Sequence, residues 1–106
     1  MRLGYDVQGP DDAPTVVLGA SMGTTRTVWD ALLAPLTGTL RVVRYDHLGH
    51  GASDVPPGPY TIETLAAEVL GLLDQLGIER AHHAGLSLGG MIALQLAASA
   101  PERVDR

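Results

Sequence analysis

The sequence contains no cysteine. Disulfides and thiolate metal sites are therefore excluded. Phenylalanine is absent as well and aromatics amount to 4%, so any core has to be built from Leu, Val, Ile and Ala. Basic residues are few, 7 against 12 acidic ones, for a formal net charge of −5. An acidic chain without a basic cluster argues against a nucleic-acid partner. No run approaches the roughly 20 apolar residues of a membrane span. The stretch Met1-Arg2-Leu3-Gly4-Tyr5-Asp6 offers no apolar segment of a secretory leader. Together these absences lead to the expectation of a soluble, cytoplasmic protein with neither a nucleic-acid nor a membrane partner.

What is present suits a globular domain. The apolar share is 45% over 106 residues, enough for one modest core and one domain at most. Leu3 to Gln8 reads as a short strand, followed by the turn residues Gly9-Pro10-Asp11-Asp12-Ala13-Pro14. Thr15-Val16-Val17-Leu18 and Arg41-Val42-Val43-Arg44-Tyr45 read as strands buried on both faces. Between them Trp29, Leu32, Leu33 and Leu36 recur at helical spacing, and Gly38 ends that helix. After a long loop, Asp46 to Pro59, Thr61 caps a helix whose apolar face is Ile62, Leu65, Ala66, Val69, Leu72, Leu73 and Leu76. Gly77 closes it. Ala81 to Leu86 is a further strand, and a last helix runs from near Ser87 through Met91, Leu94 and Ala98 to Pro101. Alternating strands and helices predict an α/β fold with a mainly parallel sheet and right-handed crossovers.

Ligands of such sheets bind at the C-terminal ends of the strands. Three segments leave those ends: Gly19–Thr25, Asp46–Pro59 and the turn at Ser87. The last is Gly85-Leu86-Ser87-Leu88-Gly89, a G-x-S-x-G between a predicted strand and a predicted helix. In that context the serine stands on a sharp, strained turn that tolerates only small flanking residues. The start of the helix also offers free N–H groups and a favourable dipole for negative charge. Ser87 is accordingly the expected nucleophile. The Leu88 N–H is the expected first donor to an oxyanion, and Ser21, in the small-residue loop Gly19-Ala20-Ser21-Met22-Gly23, is the chosen second donor.

The order of these segments resembles the α/β-hydrolase family over essentially the whole chain: Thr15–Gly23, then Tyr45-Asp46-His47-Leu48-Gly49-His50-Gly51-Ala52-Ser53, then Gly85–Gly90, then Pro101-Glu102-Arg103-Val104. Within it, the chain most resembles the 3-oxoadipate enol-lactonases. The resemblance rests on Leu18–Thr25, Trp29, Pro56-Pro57-Gly58-Pro59-Tyr60-Thr61 and Gly85–Met91. It implies a three-layer α/β/α sandwich and hydrolysis of an enol-lactone to 3-oxoadipate in aromatic-compound catabolism, with a small lactone or ester as substrate and no cofactor. Leu48 stands where the family usually has arginine. The family's acid and histidine follow the serine well downstream, so residues 1–106 are expected to be the N-terminal part of one domain. The later strands, the cap and the rest of the triad are expected elsewhere. A carboxylesterase or another hydrolase of the same fold is the alternative. A truncated, catalytically incompetent fragment is the alternative of another class.

The four histidines do not fill the gap. His83 lies roughly 13 Å below Ser87 along a strand, and the strand order that the resemblance implies puts His47 and His50 on a strand two places away, roughly 10 Å. A general base must approach to about 3 Å. All four are expected to have packing or loop roles, and their spacing lacks the His-x-x-His or His-x-x-x-His of a helical metal site. The G-x-G at Gly49 lacks its last glycine, Asp54 standing there, and there is no P-loop.

Overall fold

The computed structural model describes residues 2–106; Met1, the first residue of the stretch read for a leader, lies outside them. Four strands form one sheet in the order β1-β3-β2-β4: β1 Tyr5–Gln8, β2 Thr15–Gly19, β3 Arg41–Tyr45 and β4 His82–Gly85. β2 pairs in parallel with both β3 and β4, and β1 is antiparallel to β3. Three helices follow β2, β3 and β4 in turn: α1 Asp30–Leu36, α2 Ile62–Gln75 and α3 Leu88–Ser99.

Side chains alternate along each strand, so the central strands feed two cores. Val17 and Val43 pack with Leu65, Val69, Leu73, Ile92 and Leu96 of α2 and α3. Val16, Leu18 and Val42 turn to the other face and meet Trp29, with Leu33 and Leu36 of α1 alongside. The sheet therefore lies between helical layers, the three-layer sandwich expected. The expected caps are in place. Thr61 accepts the Thr64 N–H at 3.1 Å, and Gly77 closes α2 with φ +70°.

The structure refines three sequence expectations. The first strand starts at Tyr5, two residues later than Leu3, whose side chain is buried against α2 in the core. The first helix begins as a 3₁₀ turn over Arg26–Trp29, capped by the Thr25 side chain. In α3, Met91 and Leu94 are exposed, while Leu88, Ile92 and Leu96 are buried. That helix is apolar nearly all round, so its sequence carries little signal for which face turns inward.

One flank of β4 is partly occupied. Ala81 bridges Val104 in parallel, and the His83 N–H donates to the Arg106 carbonyl at 2.7 Å. The last residues thus run beside the first half of β4.

Candidate active site

Ser87 sits on the turn between β4 and α3 with φ +49° and ψ −107°. Among the described residues it is the one non-glycine with positive φ. Such a conformation costs an L-residue free energy and persists only where the surroundings impose it. The neighbouring glycines show what does so. A Cβ on Gly89 would land on the Gly19 carbonyl, and one on Gly85 would land on the Gly89–Gly90 peptide. A Cβ on Gly19 would stand 2.9 Å from the Gly89 Cα. Backbone thus touches backbone where β2, β4 and α3 converge, and the chain has to turn sharply at Ser87. The Ser87 side chain is left exposed at the C-terminal end of the sheet.

The N-terminus of α3 is tied to the loop after β2. The Leu86 N–H donates to the Gly19 carbonyl at 3.0 Å, and the Gly89 N–H donates to the Ala20 carbonyl at 3.1 Å. Leu88, the first residue of α3, stands where helix geometry provides no intrahelical acceptor for its N–H, beside Ser87. On the β2 side, Ala20 and Ser21 share one planar trans peptide. The Ser21 N–H therefore lies on the edge opposite the carbonyl that holds Gly89. The Ser21 carbonyl in turn accepts the Thr24 hydroxyl at 2.7 Å, which sets the direction of the Met22 N–H on the next peptide.

The long loop after β3 supplies the second support. Asp46 is buried. Its carboxylate accepts the Arg26 N–H at 2.7 Å and the Ala52 N–H at 3.0 Å, and pairs with the Arg26 guanidinium. Gly51 adopts φ +48°, and a Cβ there would overlap the Asp46 carboxylate. Ser53 donates to the Asp46 carbonyl at 2.6 Å and accepts the Gly4 N–H at 2.8 Å, binding this loop to the strand β1 end. Leu48, where the family usually has arginine, is 1% exposed and joins the core with Tyr45 and Leu65.

Two histidines of this loop reach the β2 loop, in the structural role expected of them. The buried His47 donates from Nε2 to the Ala20 carbonyl at 2.6 Å, and its Nδ1 has no partner. Burial pushes the His47 imidazole below its ordinary value, against the opposing hydrogen bond to Ala20. His50 accepts the Gly23 N–H on Nε2 at 2.9 Å and donates from Nδ1 to the Leu48 carbonyl at 3.1 Å, a pattern that fixes its neutral Nδ1–H tautomer. Sequence reasoning placed both at the correct end of the sheet without finding these bonds. His83 lies near the start of β4, its imidazole pushed down by burial and then by the neighbouring His82 charge. Among the described residues no group of three or more His, Asp or Glu is arranged to hold a metal.

A cleft of about 390 Å³ opens beside these loops, lined by Met22, His47, His50, Tyr60, Ile62 and Leu88. It joins Met22, in the loop after β2, to Leu88, the first residue of α3. Ser87 itself faces a second, open cleft along α3 with Met91 and Leu94.

The α/β-hydrolase fold family matches residues 14–106. The chain belongs to that family. It is 44% identical over 94 residues to 3-oxoadipate enol-lactonase 1 of Acinetobacter baylyi, covering 89% of this chain and 35% of that protein. It is 43% identical over 101 residues to a protein of Stutzerimonas stutzeri named as a carbamate hydrolase, RutD, covering 92% of this chain and 38% of the other. The crystal structure of the enol-lactonase from Burkholderia xenovorans superposes with a TM-score of 0.96 at 46% identity, over 98% of this chain and 41% of that one. The chain spans about two fifths of the length of each of these three relatives.

Proposed function

We propose that the complete protein is a serine hydrolase that opens 3-oxoadipate enol-lactone to 3-oxoadipate. The observation that carries the reading is Ser87 at φ +49° on a strand–helix turn closed by Gly85 and Gly89. In this reading the Ser87 hydroxyl attacks the lactone carbonyl and passes its proton to a histidine base from the remainder of the domain. The tetrahedral oxyanion sits against the Leu88 N–H and the Ser21 N–H of the β2 loop. Collapse breaks the ring C–O bond. The enol oxygen leaves with a proton and tautomerises to the ketone, and water then cleaves the acyl-serine to release the acid. The likeness to proteins named enol-lactonase, in sequence and in structure, supports the choice of substrate.

A second reading within the same chemistry is hydrolysis of a carbamate, favoured by the likeness to the protein named RutD. The two are separated by kcat/KM on the enol-lactone, a simple aryl ester and an aryl carbamate. Preference for the lactone by tenfold or more supports the proposal. Preference for the carbamate or ester replaces its substrate while keeping Ser87. The remaining alternative is a catalytically incompetent fragment, and labelling of Ser87 by a fluorophosphonate discriminates it, because only an activated serine reacts. No helix among the described residues is long and apolar enough to cross a membrane, and we place the activity in the cytoplasm.

A further inference from the structure

We propose that His47 is a positioning residue for the loop after β2: its Nε2–H fixes the Ala20 peptide, and with it the Ser21 N–H on the same peptide plane, the oxyanion donor of the reading above. The inference rests on the serine-hydrolase reading given above. Ala20 carries the junction of three elements. Its carbonyl receives the Gly89 N–H from the nucleophile helix at 3.1 Å and the His47 Nε2–H from the β3 loop at 2.6 Å. One donor alone leaves a peptide plane free to rock about that contact. Two donors from separate elements fix its rotation, and the N–H groups that follow in a chain of planar peptides are aimed accordingly.

The imidazole is itself well held. It is 2% exposed and meets Tyr45 and His50 edge-on, with ring centroids 5.2 and 5.8 Å away. Its Nδ1 has no partner. Burying an imidazole with one nitrogen unsatisfied costs stability that an apolar side chain of similar size would not. Its one bond is to Ala20, so core filling does not explain the residue and that bond does. His50 completes the arrangement by accepting the Gly23 N–H at the far end of the same loop. The segment between carries Ser21, the candidate oxyanion donor of this loop, and is held from both ends.

The test uses the complete protein and three forms: wild type, His47→Gln and His47→Phe. Glutamine keeps an N–H at the same number of bonds from the backbone; phenylalanine keeps the ring and loses the donor. Steady-state kinetics on the enol-lactone and an aryl ester are read with thermal melts. His47→Phe is expected to lower kcat on the order of tenfold to a hundredfold with KM within about threefold, the signature of a misaligned transition-state donor. His47→Gln is expected to recover kcat to within about threefold of wild type, a rescue by the retained donor. If His47→Phe does not fold, His47→Asn, whose amide is too short to reach Ala20, replaces it with the same expected loss. Imidazole ¹⁵N spectra of the wild type are expected to show His47 protonated on Nε2 alone. Unchanged kcat without the donor, losses equal in the glutamine and phenylalanine variants, or an Nδ1–H tautomer would each overturn the inference while leaving Ser87 as nucleophile. A wild type that hydrolyses none of the substrates and resists fluorophosphonate would overturn the hydrolase reading, and this inference with it.

Discussion

The Gly89 N–H donates to the Ala20 carbonyl at 3.1 Å, tying the first turn of α3, just after Ser87, to the loop after β2. The contact exists only because neither Gly19 nor Gly89 carries a side chain at the crossing. The turn that raises Ser87 and the loop that faces it are therefore one mechanical unit, and several outcomes depend on that.

Replacing Ser87 by alanine removes the hydroxyl and almost no packing, because the side chain is exposed. In the complete protein, Ser87→Ala is expected to abolish hydrolysis and fluorophosphonate labelling. The melting temperature should stay within a few degrees of wild type, since alanine keeps the Cβ and with it the same backbone strain at φ +49°. Normal turnover by this variant would remove Ser87 from the chemistry.

Gly89→Ala places a methyl group on the Gly19 carbonyl. Backbone on both sides has no rotamer with which to yield, so α3 must move away from β2. The expected cost is about 1–3 kcal/mol, accompanied by loss of activity larger than the loss of stability explains. A melt and a kcat/KM measurement on the same sample check both halves. By contrast, Gly71→Ala, at an α2 position where a Cβ meets nothing within 4 Å, is expected to stabilise by up to ~1 kcal/mol.

Acid should weaken the fold through the buried imidazole of His47 and the half-buried one of His83. Burial holds His47 and His83 below the ordinary value. The native state therefore keeps them neutral while the unfolded chain takes up protons first. Their contribution is complete above about pH 6.5 and is lost as the pH falls from there towards the lower native values. The melting temperature is expected to fall between pH 7.5 and 5.5, and the slope should flatten in His47→Gln. An equal slope in that variant would assign the effect to other groups.

The charge network at the β1 edge has the opposite partner logic. Burial raises the Asp6 carboxyl, but hydrogen bonds from Arg44 and Arg26 outweigh it and hold the group below its ordinary value. A depressed acid stabilises above its unfolded value and loses that contribution as pH falls through the native one. Asp6→Asn is expected to cost about 1–2 kcal/mol at pH 7, discounted because the side chains are partly solvated. The difference from wild type should narrow below about pH 4. Paired melts at the two pH values provide the check.

Local physics made much of this legible in the sequence. The β-branched runs at Val16–Leu18 and Val42–Val43, the Thr61 cap and the Gly77 stop depend on near neighbours, and each lies where its pattern put it. The small residues at Gly85 and Gly89 around Ser87 signalled a turn too tight for side chains, and the positive φ of Ser87 agrees. The inward face of α3 was not legible, since Met91, Leu94, Ile92 and Leu96 are all apolar and only packing distinguishes them. Nor was the clamp on Ala20. His47 lies 27 positions from Ala20, and no local pattern ties an imidazole to a carbonyl at that distance. Strand order β3-β2-β4 brings the two loops to one end of the sheet, and burial then leaves the imidazole Nε2 one carbonyl to bond. The sequence determined the elements and the tight turn at Ser87 because those depend on neighbours along the chain; tertiary structure alone decided what holds the loop after β2, because that depends on neighbours in space.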